Sequence, residues 1–245
     1  MISEIYTVVW KEWRELLFQR GSLRTTIMSL LPLLLVFGIF IPSQIGSAWV
    51  ESPLTIIFWA WLPTLQVFAL IADAFAGERE RHTLETLLAS PLSEVAILLG
   101  KVITVVSYGW LMTLLVVLTG LIGVNFVHSD EKLLLYSASL LFGGMILGFL
   151  SATLAASIGV IVSLRSPTVR QAAQKLAFVS IGLTWIPIIG FNLLPSKLQN
   201  SLLNFAKGAD VSQIFWLILI VLALVDAGLL SIAMVRFKRS RLILD

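Results

Sequence analysis

The sequence predicts an all-α integral membrane protein: six transmembrane helices, an N-terminal interfacial amphipathic helix, a cytoplasmic coupling helix and short outer re-entrant helices. Three observations lead there. First, 58% of the 245 residues are hydrophobic and 13% are charged, whereas soluble domains are about a quarter charged. A soluble fold of this size could not hide so much apolar surface, so lipid must cover part of it. Second, the apolar residues gather into runs long enough to cross a bilayer, about 20 residues each. Third, the basic residues fall in alternate connections between those runs.

The charged stretch at 4–20 is amphipathic. At helical spacing Tyr6, Val9, Trp10, Trp13, Leu16 and Leu17 share one face, and Lys11, Glu12, Arg14 and Glu15 fall largely on the other. That pattern suits a helix lying in the membrane interface or one packed on a partner protein. Nothing at this end reads as a cleaved signal peptide, because no small-residue site closes the first apolar run.

The spans are expected at about 23–41, 54–74, 95–121, 133–163, 172–194 and 212–235. Pro42 is expected to close the first and Pro63 to kink the second. Ser52 and Pro53 suit the start of the second, and Ser93 the N-cap of the third. Gly77 is placed to break the helix after the second span, before a short amphipathic helix at about 78–90. There Leu84, Leu87 and Leu88 lie on one side, and Glu78, Arg81 and Glu85 on the other. A two-faced helix between spans can receive force from a soluble partner or serve as a plain connector. The fourth span is rich in small residues. Gly144, Gly148 and Ala152 are its candidate packing positions, either between subunits or within the chain. No internal repeat is visible, so residues 1–245 read as one membrane domain.

Fourteen of the seventeen Lys and Arg residues lie at the two ends and in the segments around 79–101 and 165–175. The three exceptions are Lys132, Lys197 and Lys207. By the positive-inside rule both termini are cytoplasmic, which requires an even number of spans. Trp49, Trp59, Trp61, Trp185 and Trp216 are expected near the outer interface, and Trp10 and Trp13 near the inner one. Trp110 is expected to pack mid-span.

Chemistry is sparse. There is no cysteine, which excludes disulfides and thiolate metal sites. No G-x-x-x-x-G-K-[ST] loop is present to cradle phosphates. The two histidines, His82 and His128, are expected on opposite sides of the membrane and cannot share a metal. The chain is therefore not expected to be an enzyme, to hold a cofactor or metal of its own, or to bind nucleic acid. One charge stands well inside a span, Asp226. An Asp at a helix centre costs roughly 2.5–3.5 kcal/mol on insertion scales and faces the bundle interior or water. Asp226 is a candidate for the translocation path or a structural partner of another helix.

The run FAGERERHTLETLLASPLS at 75–93, after two spans, resembles the signature of ABC-2-type permeases, the membrane subunits of a class of ABC exporters. Glu78, Glu80, Thr83, Leu84, Glu85, Leu87, Leu88 and Pro91 stand where the family pattern has them, and His82 stands where the family often has Gly. LRSPTVRQAAQ at 164–174 resembles the second cytoplasmic loop, and 186–211 resembles the outer re-entrant helices. The resemblance implies a plasma-membrane permease, paired with a second copy, homo- or heterodimeric, and with two separate ATPase subunits that hold ATP and Mg. It places Glu78, Arg79, Glu80, Arg81, Thr83, Leu84, Glu85, Leu87 and Leu88 at the ATPase contact. An apolar or amphiphilic cargo such as a lipid is expected. The competing expectations are an ATPase-independent transporter or channel using Asp226, and a membrane scaffold.

Overall fold

The computed structural model describes residues 1–18, 23–52, 54–83, 87, 89–127, 133–201 and 211–237. Every described element is helical: α1 Ile2–Phe18, α2 Leu23–Leu33, a π-helical stretch Leu34–Phe40, α3 Ile41–Ile45, α4 Ala48–Glu51, α5 Leu54–Ala72, a second π-helical stretch Asp73–Gly77, α6 Glu78–Glu80, α7 Glu94–Val127, α8 Ala138–Ser163, α9 Val169–Leu193 and α10 Val211–Arg236. Among the described residues five helices are long and apolar enough to cross a membrane: Thr55–Glu80, Glu94–Val127, Ala138–Ser163, Val169–Leu193 and Gln213–Arg236. The first expected span appears as the shorter apolar helix Leu30–Ile45. Arg24 and the neighbouring threonines lower the hydropathy of its beginning.

Two expected breaks are not breaks. Pro42 sits inside the helix, which continues to Ile45. The wider π-helical turn before Pro42 makes room for a ring that would otherwise meet the carbonyl four residues back. Closure comes at Gly46, whose φ of 68° with ψ of −140° calls for glycine and whose N–H donates to Pro42 O at 2.9 Å. Likewise Gly77 keeps right-handed helical angles, and the helix runs on through Glu80. It ends at His82, the one described non-glycine residue with positive φ, 55°. The coupling segment is therefore not one helix over 78–90. The chain turns at Arg81–His82, and the Leu87 N–H bonds back to Thr83 O at 3.0 Å. Leu84, Glu85 and Leu88 lie outside the described residues.

The core sits between α5, α7 and α8. Glycines allow the close approach: a Cβ on Gly144 would strike the Trp59 ring, and one on Gly148 would press on Trp59 O. Ala152 is fully buried. These small residues seat α8 on α5 within the chain. Gly123 of α7 similarly admits the backbone of Ile39. Trp49 and Trp59 are buried against protein and do not face outward. Trp49 Nε1 donates to Tyr136 Oη at 3.0 Å, and the Trp59 ring meets Tyr136 edge-on. The Trp49 indole N–H thus has an internal acceptor, whereas Trp59 Nε1 is buried with no partner among the described residues. Trp61, Trp185 and Trp216 remain exposed. Trp110 packs on Phe149 and donates to Met145 O at 3.0 Å.

At the other end, Phe75 meets Phe237 edge-on, sealing the terminus of α10 against the end of α5. The capping expectation at Ser93 holds, its Oγ accepting the Ala96 N–H; Thr168 Oγ1, which was not expected as a cap, does the same for Gln171 at the start of α9. Of the expected outer re-entrant segment, 187–193 completes α9 and 196–201 forms a short helix. Residues 202–210 lie outside the described residues.

A left-handed φ costs an L-residue roughly 1–2 kcal/mol, partly offset by the greater freedom of an unfolded glycine. His82→Gly is therefore expected to raise the thermal midpoint in detergent, by about 0.5–1 kcal/mol of stability. His82→Val should lower it. The opposite order would show that the turn does not depend on this angle.

Candidate functional site: a buried ion triad at the basic end

The end of the bundle that carries α1 is built around Lys101, two turns into α7 and 1% exposed. A buried ammonium is tolerated only when it is paired and hydrogen-bonded. Lys101 Nζ donates to Glu12 Oε1 at 2.9 Å and to Glu78 Oε1 at 2.8 Å, and it lies 5.8 Å from the centroid of the Phe75 ring. Glu12 belongs to α1 and Glu78 to α6, and both are about nine-tenths buried. Lys11 Nζ reaches Glu12 at 3.4 Å and Glu15 at 3.2 Å. One ammonium thus joins three separately threaded helices.

Further contacts hold the same joint. Val8 of α1 lies where a Cβ on Gly100 would be. Trp13 Nε1 donates to Ser107 Oγ at 3.2 Å. Glu4 Oε2 accepts from Ser93 Oγ at 2.8 Å and from the Ser93 N–H at 3.2 Å, and these hydrogen bonds hold its carboxyl below the usual carboxylate range. Arg81 Nη1 donates to Asp73 Oδ1 at 3.3 Å. A Cβ at Gly77 would meet both partners, so glycine is needed there to let that pair close over the helix. Glu80 Oε2 accepts the Val169 N–H at 2.9 Å and so caps α9 from the end of α6.

The expected coupling residues therefore divide. Glu78 faces inward to Lys101. Glu80 and Arg81 are exposed, yet they are held by α9 and Asp73. Thr83 Oγ1 donates to Glu78 O at 3.2 Å. Arg79 and Leu87 are half-buried, and His82, Thr83 and Ala89 are exposed. The expected polar face of α1 is corrected as well. Glu12 is buried beside Val8, whereas Tyr6 and Trp10 point outward. The helix packs along α7, so its inward face follows Ile5, Val8 and Glu12. Neither Glu12 nor Lys101 was expected as a site residue. The signal was present in a Lys inside an apolar run and a Glu four residues after Val8.

Asp226 stands apart. It is 3% exposed, on the face of α10 that packs against α8, in line with Leu219 and Ala233. Neither of its oxygens has a hydrogen-bond partner among the described residues. It is far along the chain from the triad and shares no contact with it among the described residues.

Lys101→Met would leave two carboxylates buried without their cation. It is expected to destabilise the protein by about 3–5 kcal/mol, and the triple change with Glu12→Gln and Glu78→Gln should recover much of that. Equal losses in the single and triple variants, read by thermal unfolding, would show that the ions act independently. For Glu4 the lowered carboxyl pKa means that its bond to Ser93 stabilises the fold above the ordinary carboxylate range and is lost as pH falls through the lowered value. Hydrogen exchange at the start of α7 should accelerate on that acid limb in the wild type. In Ser93→Ala it should already be fast at neutral pH.

A protein-family model described as ABC-2 type transporter matches residues 3–193. The match takes in α1, the triad, the coupling segment and α9, and it stops before α10. The comparison with curated proteins found no match. Members of this family typically work with an ATP-binding subunit. The chain belongs to the ABC-2 type transporter family and is a multi-pass membrane permease component.

Proposed function

We propose that this chain is the membrane subunit of an ATP-driven exporter. Six spans cross the plasma membrane with both termini in the cytoplasm. Two separate ATPase subunits hold ATP and Mg, and a second permease copy completes the path. The supporting observation is the joint at Lys101. The loop that would meet the ATPase is tied through Glu78 to α1 and α7, and through Glu80 to α9. A displacement of residues 81–90 cannot stay local. It must tilt the ends of at least three helices together, which is what a two-state gate requires. The partner would contact exposed positions such as His82 and Ala89, while Glu78 transmits from within and Glu80 through its hold on the start of α9. The connections at the opposite end are short where described, which suits a lipid-like or amphiphilic cargo taken from the bilayer.

A second reading is an ATPase-independent transporter. The observation favouring it is Asp226, a buried carboxylate without a described partner in the middle of a span.

The test is affinity purification from the native host in mild detergent, with mass spectrometry and an ATPase assay. An ATP-binding subunit should co-purify, and Arg79→Glu combined with Ala89→Arg should reduce its recovery at least about tenfold while the permease itself stays folded. An ATPase-free oligomer whose transport is lost in Asp226→Asn would establish the second reading instead.

A further inference from the structure

Helix α9 is seated on the bundle by a narrow strip. Ala172 and Leu176 are buried, and Val169 and Val179 pack on the core beside them. The rest of its first two turns is polar and exposed. Arg170, Gln171, Gln174 and Lys175 lie opposite or beside that strip at helical spacing, and Arg165 is exposed in the turn before them. None of these cations makes an ion pair among the described residues. Lys175 Nζ gives one proton to Ser166 Oγ at 3.3 Å, which leaves it further donors. Residues 133–209 contain no Asp or Glu at all. The carboxylates on neighbouring elements are engaged or buried: Glu80 Oε2 takes the Val169 N–H, Asp73 holds Arg81, and Asp226 is enclosed on α10. One to two turns beyond Gln174 the same outward side becomes apolar, where Phe178 and Ile181 are 75% and 55% exposed. Ile181 lies about 16 Å along the axis from Arg170, close to the half-thickness of about 15 Å of a bilayer's hydrocarbon.

We infer that this outward face of α9 binds an anionic phospholipid, of the phosphatidylglycerol type, in the leaflet at the Lys101 end. The phosphate lies among Arg170, Gln174 and Lys175, whose long side chains reach along the helix to the headgroup level. An acyl chain lies along Phe178 and Ile181. A headgroup that carries its own ammonium sets a positive charge among cations that no described acid balances, so zwitterionic lipids are held less well. A second copy suits this face poorly. Twofold-related chains meet through the same patch, which would press Arg170 and Lys175 onto their own counterparts with no described acid between them. The site requires that the chain span a bilayer, and it does not depend on the ATP-binding partner.

The experiment places the full chain in nanodiscs of equal parts phosphatidylglycerol and phosphatidylcholine, with acyl chains of distinguishable mass, and counts the retained lipids by native mass spectrometry. Phosphatidylglycerol should be retained about tenfold over phosphatidylcholine at low salt, and the ratio should fall as salt rises. Arg170→Gln combined with Lys175→Gln should bring the ratio to within about twofold of equality. Arg14→Gln, at an exposed cation of α1, should leave it unchanged. Equal retention of the two lipids in the wild type, or an unchanged ratio in the double variant, overturns the assignment. An equal fall in Arg14→Gln overturns it too, because the preference would then belong to surface charge in general. Since the chain has no cysteine, Phe178→Cys supplies a single thiol for a second test in native membranes. That variant should stay monomeric under oxidation, and a disulfide-linked dimer in high yield would show that a second copy covers the face instead.

Discussion

Everything at the basic end of this bundle depends on how one ammonium is kept out of water. Lys101 is at a depth where an ion survives only with full compensation, and the compensating carboxylates come from two other helices. The consequence is architectural. Helix α1 could have floated in the interface as an amphipathic strip. Instead it is drawn against α7, with Val8 on Gly100 and Trp13 on Ser107. The end of α5 is drawn into the same place, so a helix that might have ended at Asp73 runs on to Glu80. Two carboxylates to one ammonium also leaves an acceptor over: Glu78 Oε2 is buried with no hydrogen-bond partner among the described residues.

The other half of the bundle is organised by shape, without charge. Gly144, Gly148 and Ala152 let α8 lie against α5, and Trp59 fills the space they leave. In a membrane, where the apolar side chains gain little from leaving lipid, such close approach and its dispersion contacts replace the hydrophobic effect as the cause of association. Helices α9 and α10 pack against this unit with much of their surface exposed.

What the sequence made legible follows from how local each signal is. Hydropathy located the long apolar helices because each carries its own signal, and the cap at Ser93 could be placed from chemistry within three residues. The errors share a cause: they concern choices made by distant residues. Glu12 looked solvated on a helical wheel because its cation lies 89 positions away. That Trp49 and Trp59 would be buried was not legible, because Tyr136 could not be foreseen beside them. Gly77 was read as a breaker when its role is to leave room for a salt bridge passing over the helix. His82, in turn, adopts the left-handed turn that the family often gives to glycine. The joint itself was half-legible, since its carboxylate at Glu78 was singled out and its ammonium was not.

The π-helical stretch Asp73–Gly77 has a further bearing on this joint. A π turn accommodates one residue more than an α turn of the same hydrogen-bonded rank, so everything after it is advanced by about a hundred degrees around the axis. Glu78 is the first residue beyond that stretch. Its inward aim is thus a matter of phase as much as of side-chain chemistry. A chain lacking a single residue in this stretch would keep the motif intact and present Glu78 to a different neighbour. The widened turn works as an indexing device, setting which letter of a charged run faces the bundle and which faces the outside.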